Sequence, residues 1–155
     1  MINSIAEPIV AKNGNTHETK CFRKYHLEIG ELLDRLTILQ LKEVKVPETK
    51  EQVTKEIEDI MHDINCIMTN SQKQVTAQFL RDLIILAQFN AHIWYNESEA
   101  RKGNKDGNLL FLTHSINGIR VEARNRLQKL FDGRIEKKID CLAAEYREQW
   151  APSGY

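Results

Sequence analysis

Residues 48–70 read ETKEQVTKEIEDIMHDINCIMTN. Val53, Ile57, Ile60, Ile64 and Ile67 recur at alternating steps of four and three. That is the seam of a helix lying nearly parallel to a neighbour. Between them stand Lys, Glu, Asp and Gln, the residues of a solvated face. A seam of this kind is buried only if other helices repeat the pattern, so the flanking sequence decides the architecture.

The pattern repeats on both sides. A first helix is expected from about Gly30 to Val44, with Leu32, Leu33, Leu36 and Leu39 on one face and Ile38 and Leu41 opposite. Pro47 should stop it and start the helix quoted above. A third is expected from Ser71 or Gln72 to about Lys102, with Phe79, Leu83, Leu86, Asn90, Ile93 and Glu97 on its seam; the turn 83–86 is apolar all round. Gly103 to Asn108 reads as a loop. The fourth, about Leu109 to Phe131, carries Leu109, Leu112, Ile116, Ile119, Ala123, Leu127 and Leu130 on one face, and Gly133 is expected to end it in the left-handed conformation. A shorter fifth, Arg134 to Gln149, places Ile135, Ile139, Leu142 and Tyr146 together. The sequence therefore predicts an all-α antiparallel up-and-down bundle of four main helices plus a shorter C-terminal helix. Residues 1–24 read as an irregular arm, 25–150 as the bundle and 151–155 as a tail.

The chain has 155 residues, enough for one domain and one core. Lys+Arg and Asp+Glu are both 22, so the net charge is zero, which suggests neither nucleic acid nor an anionic membrane as partner. Zero charge also favours self-association, and the surplus apolar surface on the first and third helices predicts a homodimer. Cys21, Cys66 and Cys141 are odd in number and at no metal or redox spacing. Cys66, in an apolar stretch, reads as a reduced core thiol. Met1 to Val10 contains Asn3, Ser4, Glu7 and Pro8 and no apolar h-region, so no signal peptide is expected. Nor does any apolar run approach the ~18 residues of a membrane span. The expected location is cytoplasmic.

Two constellations carry charge. Asn90 and Glu97 interrupt the third helix's seam, Arg101 follows one turn later, and Asn117, Arg120 and Arg124 border the apolar face of the fourth. A buried carboxylate needs a cation, and Arg offers a bidentate fork. Glu97 is therefore expected to point inward and pair with Arg101 or Arg124 beside Asn117, with Glu31 or Asp34 adding a second carboxylate from the first helix. Such a cluster either fixes helix register or holds a small anionic ligand on its arginines. The second constellation is acidic. Glu28-x-x-Glu31 and Glu56-x-x-Asp59 match the Glu-x-x-Glu, Glu-x-x-Asp spacing of all-α nucleoside triphosphate pyrophosphohydrolases, in which carboxylates on facing helices hold magnesium. Solvated helix faces are the plainer reading, and no other cofactor is expected. Asp59-x-x-His62-Asp63 lacks matching ligands elsewhere, and no nucleophile elbow or phosphate loop is present.

Three stretches together, Gly30-Glu31-Leu32-Leu33-Asp34-Arg35-Leu36-Thr37-Ile38-Leu39, Trp94 to Arg101, and Ile116-Asn117 with Arg124-Asn125, resemble a group of bacterial helical domain-of-unknown-function families. Those families are often encoded beside lipopolysaccharide or capsule glycosyltransferases. The resemblance spans roughly residues 25–131. Tyr95, Ser98 and Arg126 depart from the families' usual polar residues. It implies an all-α fold, draws attention to Glu31, Asp34, Glu97, Arg101, Asn117 and Arg124, and supplies no reaction. The sequence thus favours a non-enzymatic binding or scaffold module linked to polysaccharide biosynthesis. A magnesium-dependent pyrophosphohydrolase and a purely structural assembly protein are the alternatives.

Overall fold

A computed structural model describes residues 27–104 and 107–137. Among them are four α-helices and no strand: α1 (Ile29–Lys45), α2 (Lys50–Ser71), α3 (Ala77–Arg101) and α4 (Gly107–Lys129). A 3-10 turn, Pro47–Thr49, joins α1 to α2, as the fixed φ and missing N–H of Pro47 dictate. The N-terminal arm and most of the expected fifth helix lie outside the described residues.

Helix α1 is central and lies against each of the other three, whereas α2 lies against α1. Two apolar clusters fill the spaces. Ile29, Leu33, Phe79, Leu86, Ala123 and Leu127 join α1, α3 and α4. Leu32, Leu39, Val53, Ile57 and Ile60 join α1 to α2, and Ile64 and Ile67 edge both clusters. Each fully buried aliphatic side chain contributes about 1.5–3 kcal/mol, so the α2 seam that the sequence announced is what attaches this helix. Having apolar residues on two faces is what allows α1 to sit in the middle. Ile38 and Leu41, on its second side, are half-buried.

Helix ends account for most differences from expectation. Helix α3 begins at Ala77 rather than at 71 or 72, because Gln72 takes the left-handed conformation (φ 54) and Thr76 caps the new start, its Oγ1 accepting from the Phe79 N–H at 3.1 Å. After α4 the left-handed residue is Asp132 (φ 60), one place before the expected Gly133. Gly133 is needed for closeness instead: a Cβ there would sit 2.5 Å from both Gln128 Cγ and Glu28 Oε2. Residues 134–137 are not helical, so a fifth helix does not start at Arg134. Cys66 is exposed, beside the His62 ring at 3.6 Å, and not in the core. The α2 seam spends its apolar positions on the isoleucines and leaves Cys66 on the opposite face.

Close approach of α1 and α4 rests on Gly30, where a Cβ would lie 2.6 Å from Gln128 Oε1 and 2.9 Å from the Arg124 carbonyl oxygen. In an open helix Gly→Ala gains about 1 kcal/mol. Here the side chain of Gln128 can shift but the Arg124 backbone cannot move alone. Gly30→Ala is expected to destabilise by about 1–3 kcal/mol, read as a lower urea midpoint with unchanged slope.

Candidate functional site

The centre of the molecule is polar. Asp34 is buried on α1, 7% exposed, and three elements converge on it. Arg120 of α4 donates from one terminal nitrogen to both carboxylate oxygens, at 3.0 and 2.7 Å. Asn90 of α3 donates from Nδ2 to Asp34 Oδ1 and to Thr37 Oγ1, both at 2.7 Å. The Thr37 hydroxyl donates to the Asp34 carbonyl oxygen at 2.8 Å, and Arg120 Nε donates to Asn117 Oδ1 at 2.9 Å. The network ties α1, α3 and α4 at one level. It sits beside Leu33 and Leu86, where a wrong helix register would bury an unpaired charge.

Arg124, one turn beyond Arg120, is also largely buried and reaches Asp34 Oδ2 at 3.9 Å. It forms its close ion pair with Glu136, in the segment that follows α4. That segment is pinned by reciprocal bonds between the Asn125 side chain and the Glu136 backbone, at 2.7 and 3.0 Å. Burial lowers the Arg124 pKa, with Arg120 adding to it and Asp34 and Glu31 opposing. Its Nε is buried without a hydrogen-bond partner. One buried carboxylate, Asp34, therefore serves two guanidinium groups.

Above this network opens a pocket of 410 Å³. Helix α1 lines it with Glu31, Asp34, Arg35, Ile38, Leu39 and Lys42, α2 with Glu56, and α4 with Arg124; Leu27 stands at its edge. Arg35 spans to α2, where its Nε donates to Glu56 Oε1 at 2.8 Å and its NH2 to the same oxygen. The pocket thus combines apolar side chains, Leu27, Ile38 and Leu39, with three cations, Arg35, Lys42 and Arg124, and three carboxylates, Glu31, Asp34 and Glu56.

The sequence-derived site is only partly assembled. Asp34, Asn117 and Arg124 come together, Glu31 joins them at the pocket, and Arg120 proves to be the hub. Glu97 does not point inward: it is exposed, and its neighbour Asn96 is the buried residue, 3% exposed. Arg101 is exposed too and, among the described residues, reaches Ser98 Oγ at 3.4 Å. By this level the buried face of α3 has turned away from the stripe that Phe79 and Asn90 define, so the heptad count carried one turn too far.

The four acidic residues of the magnesium reading are not gathered. Glu28 is the N-cap of α1, in a reciprocal capping box with Glu31. Its Oε2 accepts from Gln128 Nε2 and from the Arg134 N–H, the latter at 2.7 Å. Glu56 is held by Arg35, and Asp59 lies on the exposed face of α2. Among the described residues no group of three or more His, Cys, Asp or Glu is placed to hold a metal ion.

A second buried acid escaped the sequence reading. Asp82, 1% exposed, accepts from Gln78 Nε2 at 2.9 Å and faces Arg126 at 3.8 Å. Its signal was available: position 82 lies one turn before Leu86 on the same face, and Arg126 lies one residue before the buried Leu127. Among the described residues no helix is long and apolar enough to cross a membrane. Compared with models of protein families, with curated proteins and with solved structures, the chain matches none.

Proposed function

We propose that this chain is a homodimeric binding module, an antiparallel four-helix bundle without catalytic activity of its own, that holds a small anionic ligand in the pocket between α1, α2 and α4. The observation that carries this reading is the geometry at Arg124. Arg120 takes the Asp34 carboxylate at 2.7 Å, leaving Arg124 at 3.9 Å with a buried, unpartnered Nε. Its close counter-ion, Glu136, is itself 39% exposed and lies in an irregular segment. A phosphate or carboxylate group offers the same planar recognition and can replace that glutamate. Lys42 stands on the same wall, Arg35 there is paired with Glu56, and Ile38, Leu39 and Leu27 suit an apolar or sugar-ring body. The resemblance to families encoded beside polysaccharide glycosyltransferases makes a sugar phosphate the ligand of choice.

Thermal melts with inorganic phosphate, succinate and glucose 1-phosphate test the reading. A ligand at a hundred times its Kd stabilises by about 2.7 kcal/mol, a rise of several degrees in Tm. Arg124→Ala should cost less than Arg120→Ala in the absence of ligand, because Asp34 keeps Arg120 and the Glu136 carboxylate left behind is 39% exposed, and should erase the ligand-induced rise. Glu97→Gln, on an exposed position, should change neither. Absence of a rise with all three probes defeats the proposal. Hydrolysis of nucleoside triphosphates with magnesium, lost in Glu56→Gln, would replace it by the pyrophosphohydrolase reading.

A further inference from the structure

The chain does not leave the bundle freely after α4. Residues 134–137 are irregular, and side chains of two helices hold their backbone. The Arg134 N–H donates at 2.7 Å to Oε2 of Glu28, the cap of α1, and the Arg134 carbonyl oxygen accepts from Gln128 of α4. At Glu136 the backbone exchanges two bonds with the side chain of Asn125, which is buried. The segment is thereby strapped to the end of α4, and it delivers one carboxylate, that of Glu136, to Arg124.

This contact uses only half of what the guanidinium offers. Glu136 pairs with Nη2 of Arg124, while Nε, on the same edge of the group, is buried without a hydrogen-bond partner. The two nitrogens form a fork that fits two oxygens of one carboxylate or phosphate. An anion seated on the whole fork takes Nη2 from Glu136. The same arginine lines the pocket between α1, α2 and α4, so a pocket ligand and the strap compete for one group. The other ties of the strap are single hydrogen bonds between side chains and backbone, each of which water can replace.

We infer that residues 134–137 form an autoinhibitory strap: an anion bound at Arg124 displaces Glu136 and releases the segment, and the docked segment in turn weakens binding of the anion. The inference rests on the anion pocket proposed above, and coupling of this kind is reciprocal. Trypsin reads the strap, because Arg134 and Lys137 are exposed cleavage sites within it, and calorimetry reads the pocket. In the full 155-residue chain, whichever of inorganic phosphate, succinate and glucose 1-phosphate binds should speed cleavage after Arg134 several-fold, and chloride at the same ionic strength should not. Glu136→Gln should be cleaved at the faster rate without ligand. It should also bind the same probe about 5-fold or more tightly, since the carboxylate that keeps part of the population closed is gone. Asn125→Ala removes the two backbone ties and leaves Glu136 and the pocket lining in place, and it should move both readouts in the same direction. Binding of none of the three probes to the parent chain overturns pocket and strap together. Binding that leaves the cleavage rate unchanged, binding no tighter in Glu136→Gln, or cleavage that chloride speeds as much as the probe does, overturns the strap and leaves the pocket standing.

Discussion

Asp34→Ala is expected to lower the stability of the fold by about 3–5 kcal/mol, the cost of leaving a buried charge without its partner. In a domain of this size that is a fall in Tm on the order of 10 °C or more. The stranded group is Arg120, 19% exposed, which would keep only Asn117 and the weak 3.5 Å contact to Asn90. Asn90 would lose one of its two acceptors, and the three-helix junction would lose the carboxylate around which it is arranged. Arg120→Ala should be comparably damaging for the complementary reason, since Arg124 stands at 3.9 Å and is committed to Glu136. Replacing both by apolar residues of similar volume, Asp34→Leu with Arg120→Met, should recover much of the loss, because the favourable Coulomb term and the desolvation cost disappear together. By contrast Arg35→Ala removes an ion pair whose arginine side chain is 56% exposed and should cost well under about 1 kcal/mol. Urea unfolding of the four variants measures the series. Equal, small losses for Asp34→Ala and Arg35→Ala would mean that the central network contributes nothing to the fold.

The same network explains what could be read from the sequence. Helical character, the α2 seam and the apolar face of α4 around Ile116, Ile119, Ala123 and Leu127 follow from periodicity alone, because burial of apolar side chains selects a helical face wherever the repeat is sustained. A polar site is legible only where it interrupts such a repeat. Asn90 does so, and it is in the network. Glu97 does so too, yet it is exposed, because near its end α3 presents Asn96 to the interior instead. Periodicity fixes the spacing of a stripe, but its direction in space is set by which neighbour is still present at that level. Asp34 was legible only as one of several acids on α1. Nothing in the order of residues says that Arg120, rather than Arg124, lies level with it, since that depends on how closely α4 approaches α1, and therefore on Gly30.

The helix ends were misread for a related reason. Thr76 caps α3, but the sequence before it, Ser71-Gln72-Lys73-Gln74-Val75, contains no Gly or Pro to signal a break. Polar residues of ordinary helix propensity can follow either course, and tertiary packing decides. Glu28 illustrates the same point from the functional side. Its spacing to Glu31 suits a metal site as well as a capping box, and the distinction comes from Gln128 and Arg134, a hundred residues away in sequence.

Leu86→Ala and Ile84→Ala remove aliphatic atoms two positions apart on one helix, and their effects should fall on different properties. Leu86 is fully buried in the cluster shared by α1, α3 and α4. Its truncation loses transfer free energy and leaves a cavity that Phe79, Ala123 and Leu127 can only partly collapse into, an expected loss of about 2–5 kcal/mol. Ile84 is 56% exposed on the opposite side. Within a single chain its truncation removes little buried surface, and alanine is the better helix former, so the stability of the isolated chain should change by less than about 0.5 kcal/mol. In the homodimer proposed above, an Ile84 covered by the partner copy would be a contact, and its loss should weaken association and make Tm depend less steeply on protein concentration. Melting both variants across a hundredfold range of concentration distinguishes the cases. Leu86→Ala should shift every curve downward by a similar amount, whereas Ile84→Ala should coincide with the parent chain when dilute and fall below it when concentrated. If Ile84→Ala were instead as damaging as Leu86→Ala at every dilution, the outer face of α3 would have to be packed within the single chain.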